Sequence, residues 1–355
     1  MNDVSGRYML EDLKGQPAAI DAVVKRFFIQ TEQLDRVEIG MWFSRDVLLA
    51  GCGATYALAL TTASLYQTQG IRSSAIPASE IYFYPQAIPE KAETLIAFSR
   101  SGETSETLKS VEQFRQQRPE GKVIAITVNM RSSLALSSDL VLDCSDAAET
   151  SIIETRSFSG MFLLAQLLIA WLQKDTERLN GLKTLSKDLD SQSKKIIEVT
   201  KRIAENSSVE RFVFLGGGPL YGIAYQASLT LKECLACWAE AFHPLEFRHG
   251  PRTTATRGAF VCLFASENDA IAQQEKLVLT EMKDQGACTL VFEEKQQVFN
   301  DFLELERFIV EPVAVSDCSL ILVCLIFSQW LAYFKSLSTG VNPDQPANLK
   351  AVTRL

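Results

Sequence analysis

The sequence predicts an α/β protein of two successive domains, each a parallel sheet with helices on both faces. Three observations lead there. The chain has 355 residues, more than one ordinary core accommodates and well suited to two. Short apolar runs alternate with helical patterns, as in sheets whose parallel strands are joined by crossover helices. The alternation also runs twice, each time opening with an apolar strand, a glycine-rich turn and a helix: GCGAT at 51–55 and GGGP at 216–219.

Residues 1–45 read as an N-terminal helical arm, with Ile20, Val23, Val24, Phe27 and Phe28 at helical spacing. The first domain occupies 46–175, with strands at 47–50, 94–98, 122–128 and 140–143. Its helices fall at about 54–69 and 104–117, and an amphipathic helix at 157–173 closes it. Residues 176–208 are charged and helix-favouring and read as the linker. The second domain, 209–340, has strands at 212–215, 260–264, 289–292 and 308–310. Its helices start near 220 and 268, with a third near 317–336. Residues 341–355 form a C-terminal tail expected to close over the active site.

A composition of 47% hydrophobic and 22% charged residues is that of a globular chain. The net charge of −8 excludes nucleic acid as an expected partner, because phosphate contacts need clustered Lys and Arg. A small anion stays compatible, since backbone N–H groups at helix starts can hold it. Most of the eight Cys sit in apolar runs, where a free Cys acts as a small buried hydrophobe. Cys234 and Cys237 form a CxxC inside a helix with no second ligand pair, so packing rather than a metal or redox role is expected. The N-terminus, MNDVSGRYMLEDLKG, lacks an apolar signal core. The stretch 320–334 is interrupted by Ser328, Gln329 and Trp330 and is too short for a membrane span, so it reads as a buried helix. A reducing, cytoplasmic compartment and no membrane contact follow as expectations.

Ser99-Arg100-Ser101-Gly102-Glu103-Thr104 follows the strand at 94–98 and opens a helix. Hydroxyls at 99, 101 and 104 converge there with the orphan N–H groups of the helix start, and Gly102 permits the tight turn. That chemistry suits a phosphate monoester. Helix capping by Thr104 is the plainer reading, but it needs one hydroxyl rather than three. Gly51-Cys52-Gly53-Ala54-Thr55 is a second strand-to-helix turn and a natural wall of the same pocket. The second domain's counterpart loop, Phe264-Ala265-Ser266-Glu267-Asn268-Asp269, has one hydroxyl and two carboxylates and should repel phosphate. Of the two His, 243 and 249, His249 lies in the polar turn Glu246-Phe247-Arg248-His249-Gly250-Pro251. Glu233 stands on an otherwise apolar helix, either on its solvated face or held for proton transfer. The residues alone leave both open.

Six segments together resemble the sugar isomerase (SIS) superfamily in its double-domain group. They are GCGATY (51–56), FSRSGETSETL (98–108), ETSIIETRSF (149–158), FLGGGPLYGIAYQASLTLKE (214–233), AEAFHPLEFRHGP (239–251) and NPDQPANLKAVT (342–353). That group includes the isomerase half of glucosamine-6-phosphate synthase, glucosamine-6-phosphate deaminases and fructosamine-6-phosphate deglycases. The resemblance implies two SIS domains, each a three-layer α-β-α sandwich. It implies that Cys52, Gly53, Thr55, Ser99, Arg100, Ser101 and Thr104 line a sugar-phosphate pocket, with Ile152 adding backbone contacts. By the same resemblance Glu233 is the base working between C1 and C2. His249 assists ring opening from the neighbouring subunit of a homodimer, and Lys350 is the nearest counterpart of a lysine that closes over the sugar. No cofactor or metal is implied.

Three departures shape the expected activity. Thr230 stands where the synthase has a lysine, the tail NLKAVT is one residue shorter than the synthase pattern NLxKxVT, and the polar N-terminus leads to the expectation of no glutaminase domain and no N-terminal Cys nucleophile. The expectation is therefore isomerisation of an amino-sugar or fructosamine 6-phosphate with release of ammonia or amine, of deaminase or deglycase type. Simple phosphosugar isomerisation needs the same groups. A sugar-phosphate sensor without turnover is the alternative from another class.

Overall fold

The structure, a computed structural model, describes residues 5–294, 298–299, 306–311, 313 and 315–349. The chain forms two compact units, one of residues Lys14–Ser186 and one of Lys187–Leu349 joined by the N-terminal residues up to Leu13. The N-terminal helices divide accordingly. Most of α1 (Arg7–Lys14) packs in the second unit, whereas α2 (Gln16–Thr31) and α3 (Arg36–Trp42) belong to the first.

The first unit runs β1 (Asp46–Gly51), α4 (Ala54–Thr68), β2 (Ser73–Pro77), α5 (Ala78–Phe83), β3 (Ala92–Phe98) and α6 (Ser105–Gln117). It continues with β4 (Lys122–Thr127), α7 (Ser133–Leu136), β5 (Leu140–Asp143) and α8 (Arg156–Leu172). All pairings are parallel, in the order β2-β1-β3-β4-β5. β1, β3 and β4 are buried over nearly their whole lengths, which requires helices on both faces. α8 supplies much of one cover: it is buried from Ser157 to Trp171 and meets Ile20, Val23 and Phe27 of α2 on its outer side. The Tyr66 hydroxyl of α4 donates to the Ala165 carbonyl at 2.7 Å and fixes the two helices together.

The charged segment folds as one helix, α9 (Thr176–Glu205), and the boundary between the units falls within it. The second unit then runs β6 (Arg211–Gly216), α10 (Pro219–Leu235), β7 (Trp238–Phe242), α11 (Pro244–Phe247) and β8 (Ala259–Phe264). After these come α12 (Asp269–Asp284), β9 (Cys288–Glu294), β10 (Glu306–Val310) and α13 (Ser316–Ser338). The order is β7-β6-β8-β9-β10, again all parallel. Phe264, Phe292 and Phe308 stand in register across three neighbouring strands, and Phe327 of α13 closes on Phe292 with ring centroids 4.5 Å apart. α13 is long and apolar enough to cross a membrane, yet nearly all of its apolar window is buried in the protein. It is a core helix, as the stretch 320–334 predicts.

The two units share one plan. In both, the first strand lies between the second and the third, so the order reverses at β1/β3 and at β6/β8. Open α/β sheets bind ligands at that reversal, beyond the carboxyl ends of the strands. The turns opening each repeat also coincide. Gly53 has φ 55° and ψ −119°, Gly218 has φ 54° and ψ −128°, a conformation only glycine adopts without strain.

Two strands escape the sequence pattern, β2 and β7. They hold the same position in the two sheets, each at an edge beside the first strand, and both are largely half-buried. An edge strand of this kind shows no continuous apolar run.

Candidate functional site

The loop from Ser99 to Thr104 joins β3 to α6 at the first reversal point. It is folded around its own hydroxyls. The amide of Gly102 donates to Ser99 Oγ at 3.0 Å and that of Glu103 to Ser101 Oγ at 3.1 Å. Gly102 has φ 68°, and a Cβ there would stand 2.0 Å from Ser132 Oγ, so the turn excludes any side chain. Below it, the Thr127 hydroxyl donates to the Arg100 carbonyl and the Leu134 amide to the Gly102 carbonyl. Glu103 accepts from the Ser133 amide and hydroxyl at 2.8 and 2.9 Å, and so turns away to secure α7.

Thr104 is the N-cap of α6, but its side chain makes no capping bond. Its hydroxyl lies 3.5 Å from Ser99 Oγ instead. The helix start is therefore left without a side-chain cap, next to clustered hydroxyls. That combination offers N–H and O–H donors to an anion.

The Cys52–Thr55 turn borders the same crevice through α6, with Cys52 Sγ 3.6 Å from Thr107 Oγ1. Burial pushes the Cys52 thiol up, so it is a neutral wall rather than a thiolate. The Thr55 hydroxyl is engaged inside its own turn, accepting from the Cys52 amide and donating to the Cys52 carbonyl, both at 2.9 Å. Gly53 supplies the positive φ described above.

Arg100 reaches the segment after β5. Its Nη1 donates to Glu149 Oε1 at 3.2 Å and to the Ser151 carbonyl at 3.3 Å, and its Nε lies 3.7 Å from Glu154 Oε1. The Glu149 side chain is fully buried and also accepts from the Thr155 amide and hydroxyl and the Ser157 hydroxyl. Burial, partly offset by Arg100, pushes Glu154 up to about 7. Ile152 lies half-buried within this segment, beside Ser151, whose hydroxyl accepts from the Ile153 amide. Glu149 is not singled out by the sequence. Glu149 takes its importance from hydroxyls six and eight residues later, a spacing with no regular period.

In the second unit, Glu233 is half-buried near the C-terminal end of α10. Thr230, one turn earlier, is fully buried and bonded to Gln226, so it is a packing residue. Cys234 is buried in the core and Cys237 half-buried against the Leu231 carbonyl. His249 is exposed at the turn after α11. Arg248 and Arg252 on either side both hold Glu281 of α12, at 2.5 and 3.0 Å, which pins that turn. Lys350 lies outside the described residues.

At the second reversal point the chemistry differs. The Ser266 amide donates to Glu275 Oε2 at 2.8 Å, and Asn268 caps α12 with its own side chain. Burial pushes Glu275 up to about 7.

Residues 41–170 match the family model described as SIS domain, and the second unit repeats the sheet order and opening turn of the first. Among curated proteins the chain is similar to a glutamine–fructose-6-phosphate aminotransferase (isomerizing) of Pyrobaculum aerophilum, 27% identical over 356 residues, 98% of this chain and 57% of the relative. The chain thus spans just over half the length of the curated relatives it matches. The solved glucosamine-6-phosphate deaminase of Thermotoga maritima is 28% identical with a TM-score of 0.77, covering 98% of this chain and 100% of that one. The tagatose-6-phosphate ketose/aldose isomerase of Escherichia coli shares the fold, with a TM-score of 0.85 at 21% identity, over 96% and 95% of the two chains.

Proposed function

We propose that the chain is a phosphosugar-processing enzyme, isomerising an amino-sugar or fructosamine 6-phosphate across C1 and C2 and releasing ammonia or an amine. One observation carries it: α6 begins without a side-chain cap at the sheet's reversal point, beside the hydroxyls of Ser99, Ser101 and Thr104. The names of the relatives support the choice of ligand, since all three contain a hexose 6-phosphate. The phosphate is then a remote handle, and its binding energy positions C1 and C2 for proton transfer. Cys52, Gly53, Thr55 and Ile152 line the pocket, and Arg100 holds the loop in shape through Glu149 and Glu154.

Glu233 is the base that moves the proton through an enediol-type intermediate. A carboxylate is suited to this because it can accept at one carbon and return at the next. His249 assists ring opening, contributed by the second subunit of a homodimer, and Lys350 closes over the sugar. The test is a panel of glucosamine 6-phosphate, fructosamine 6-phosphates and fructose 6-phosphate, assayed for amine release and for ketose–aldose conversion. Glu233→Gln is expected to lower kcat by about 10²-fold or more while the sugar phosphate still binds. Absence of turnover across the panel, or a Glu233→Gln protein with most of its kcat, overturns the reading.

A further inference from the structure

We propose that the crevice at the β6/β8 reversal point binds a small primary ammonium compound, with Glu275 as its counter-charge. The case stands on the second unit alone and is independent of the sugar-phosphate reading.

The first crevice offers donors. In the second, the donors are already met from within the chain. The loop from Phe264 to the N-cap Asn268 is two residues shorter than that from Phe98 to the N-cap Thr104. Asn268 Oδ1 accepts from the amides of Ala270 and Ile271 at 3.0 and 3.2 Å, covering the start of α12. The Ser266 amide is taken by Glu275 Oε2. An anion finds little here.

What remains is an acceptor. Glu275 is 1% exposed, and its Oε1 has no hydrogen-bond partner among the described residues. Seven residues past the N-cap, it occupies the position that Val111 holds in the first repeat, where that valine packs in the core. No ion pair reaches Glu275 among the described residues. On its own this carboxyl meets burial by favouring its neutral form; a partner that brings both positive charge and N–H donors would hold it ionised.

One approach to this oxygen carries no side chain. Glu275 Oε1 faces Gly217, where an added Cβ would meet that oxygen at 3.7 Å and Pro244 Cδ at 3.9 Å and nothing nearer. On the two segments that carry Gly217 and Pro244, the rings of Tyr221 and His243 stack on each other at 3.9 Å. Tyr221 lies in the first turn of α10, and His243 immediately precedes Pro244. Aromatic faces of this kind favour a small organic cation.

The experiment is calorimetric titration of the full chain at pH 8 with methylammonium chloride, at constant ionic strength set by potassium chloride. Tetramethylammonium chloride, which has no N–H, is the control. Saturable binding of methylammonium at one site per chain is expected, with none for tetramethylammonium. Glu275→Gln should weaken it at least about tenfold, the effect of losing a buried charge-assisted contact. Gly217→Ala, which keeps Glu275 and fills the space, should weaken it as well, while Ser101→Ala should leave it unchanged. Absence of saturable binding overturns the proposal, as does wild-type affinity in both Glu275→Gln and Gly217→Ala. Binding lost in Ser101→Ala but kept in Glu275→Gln would put the amine in the first crevice and overturn it equally. Fructose 6-phosphate titrated into the same variants reports separately on the first crevice, so failure of one reading is distinct from failure of the other.

Discussion

Asp344 accepts from the amide of Met9, 335 residues earlier, at 2.9 Å, and with its other oxygen from that of Tyr8 at 2.8 Å. One carboxylate thus satisfies two orphan donors of α1 and sits at the positive end of its dipole. Asn342 accepts from the Gly6 amide at 2.9 Å, so the first residues of the tail grip the helix start at three amides. Asp344→Ala should cost about 1–2 kcal/mol, read from the urea midpoint, with Asp344→Asn recovering part through its single remaining oxygen. An unchanged midpoint in Asp344→Ala would show that the clamp contributes nothing.

Thr104 separates a capped helix start from an anion site. Because its hydroxyl makes no capping bond to α6, Thr104→Ala should change the melting temperature little. It should weaken fructose 6-phosphate binding by about tenfold, the loss of one hydrogen bond to a charged group. Calorimetric titration beside a thermal melt distinguishes the two roles. A large fall in stability with unchanged affinity would make Thr104 a structural residue.

In the second sheet, Phe292 touches Phe264, Phe308 and Phe327 with centroids 5.8, 4.8 and 4.5 Å away. Phe292→Ala should therefore destabilise by about 3–5 kcal/mol in chemical denaturation. A loss below 1 kcal/mol would mean that the three remaining rings repack without it.

Much of this was legible in the sequence because the strands carrying the core are continuous apolar runs. The predicted strand 140–143 and helix 104–117 fall on β5 and, within one residue, on α6. Ser-Ser-Ala-Ile-Pro of β2 and Trp-Ala-Glu-Ala-Phe of β7 were not legible, since a sheet edge buries one side and needs no apolar run. The hydroxyl cluster at 99, 101 and 104 was readable as local chemistry. The hold of Glu149 on Arg100, and the hold of Glu275 on the Ser266 amide at the second crevice, depend on residues that only the fold brings together.

Glu154 links the first unit's stability to pH. Burial raises it from 4.5 to about 7, so the folded chain binds its proton more tightly than the unfolded chain does. Its contribution is fully present below pH 4.5 and declines as pH rises through about 7. Glu154→Gln removes that dependence. Between pH 4.5 and 7.5 the wild type should lose on the order of 3 kcal/mol relative to the variant. Parallel pH profiles of the two proteins in urea would place Glu154 at its ordinary value.

The proposed donation of His249 across a dimer is open to a test that needs no further structure. His249 is exposed, on a turn held to α12 through Glu281, a rigid and outward-facing mount suited to serving a neighbour. Ser101 belongs to the other unit. His249→Ala and Ser101→Ala chains should each be inactive as homodimers. Mixed under conditions that allow subunit exchange, half of the dimers pair one chain of each kind. If His249 acts in trans, one of the two sites in such a pair combines an intact Ser101 loop with an intact His249, and about a quarter of wild-type activity returns. If His249 serves its own chain, every site in the mixed dimer lacks one group and nothing returns. Exchange is followed independently by native mass spectrometry of differently tagged chains. Proven exchange without recovered activity therefore removes His249 from the neighbouring site.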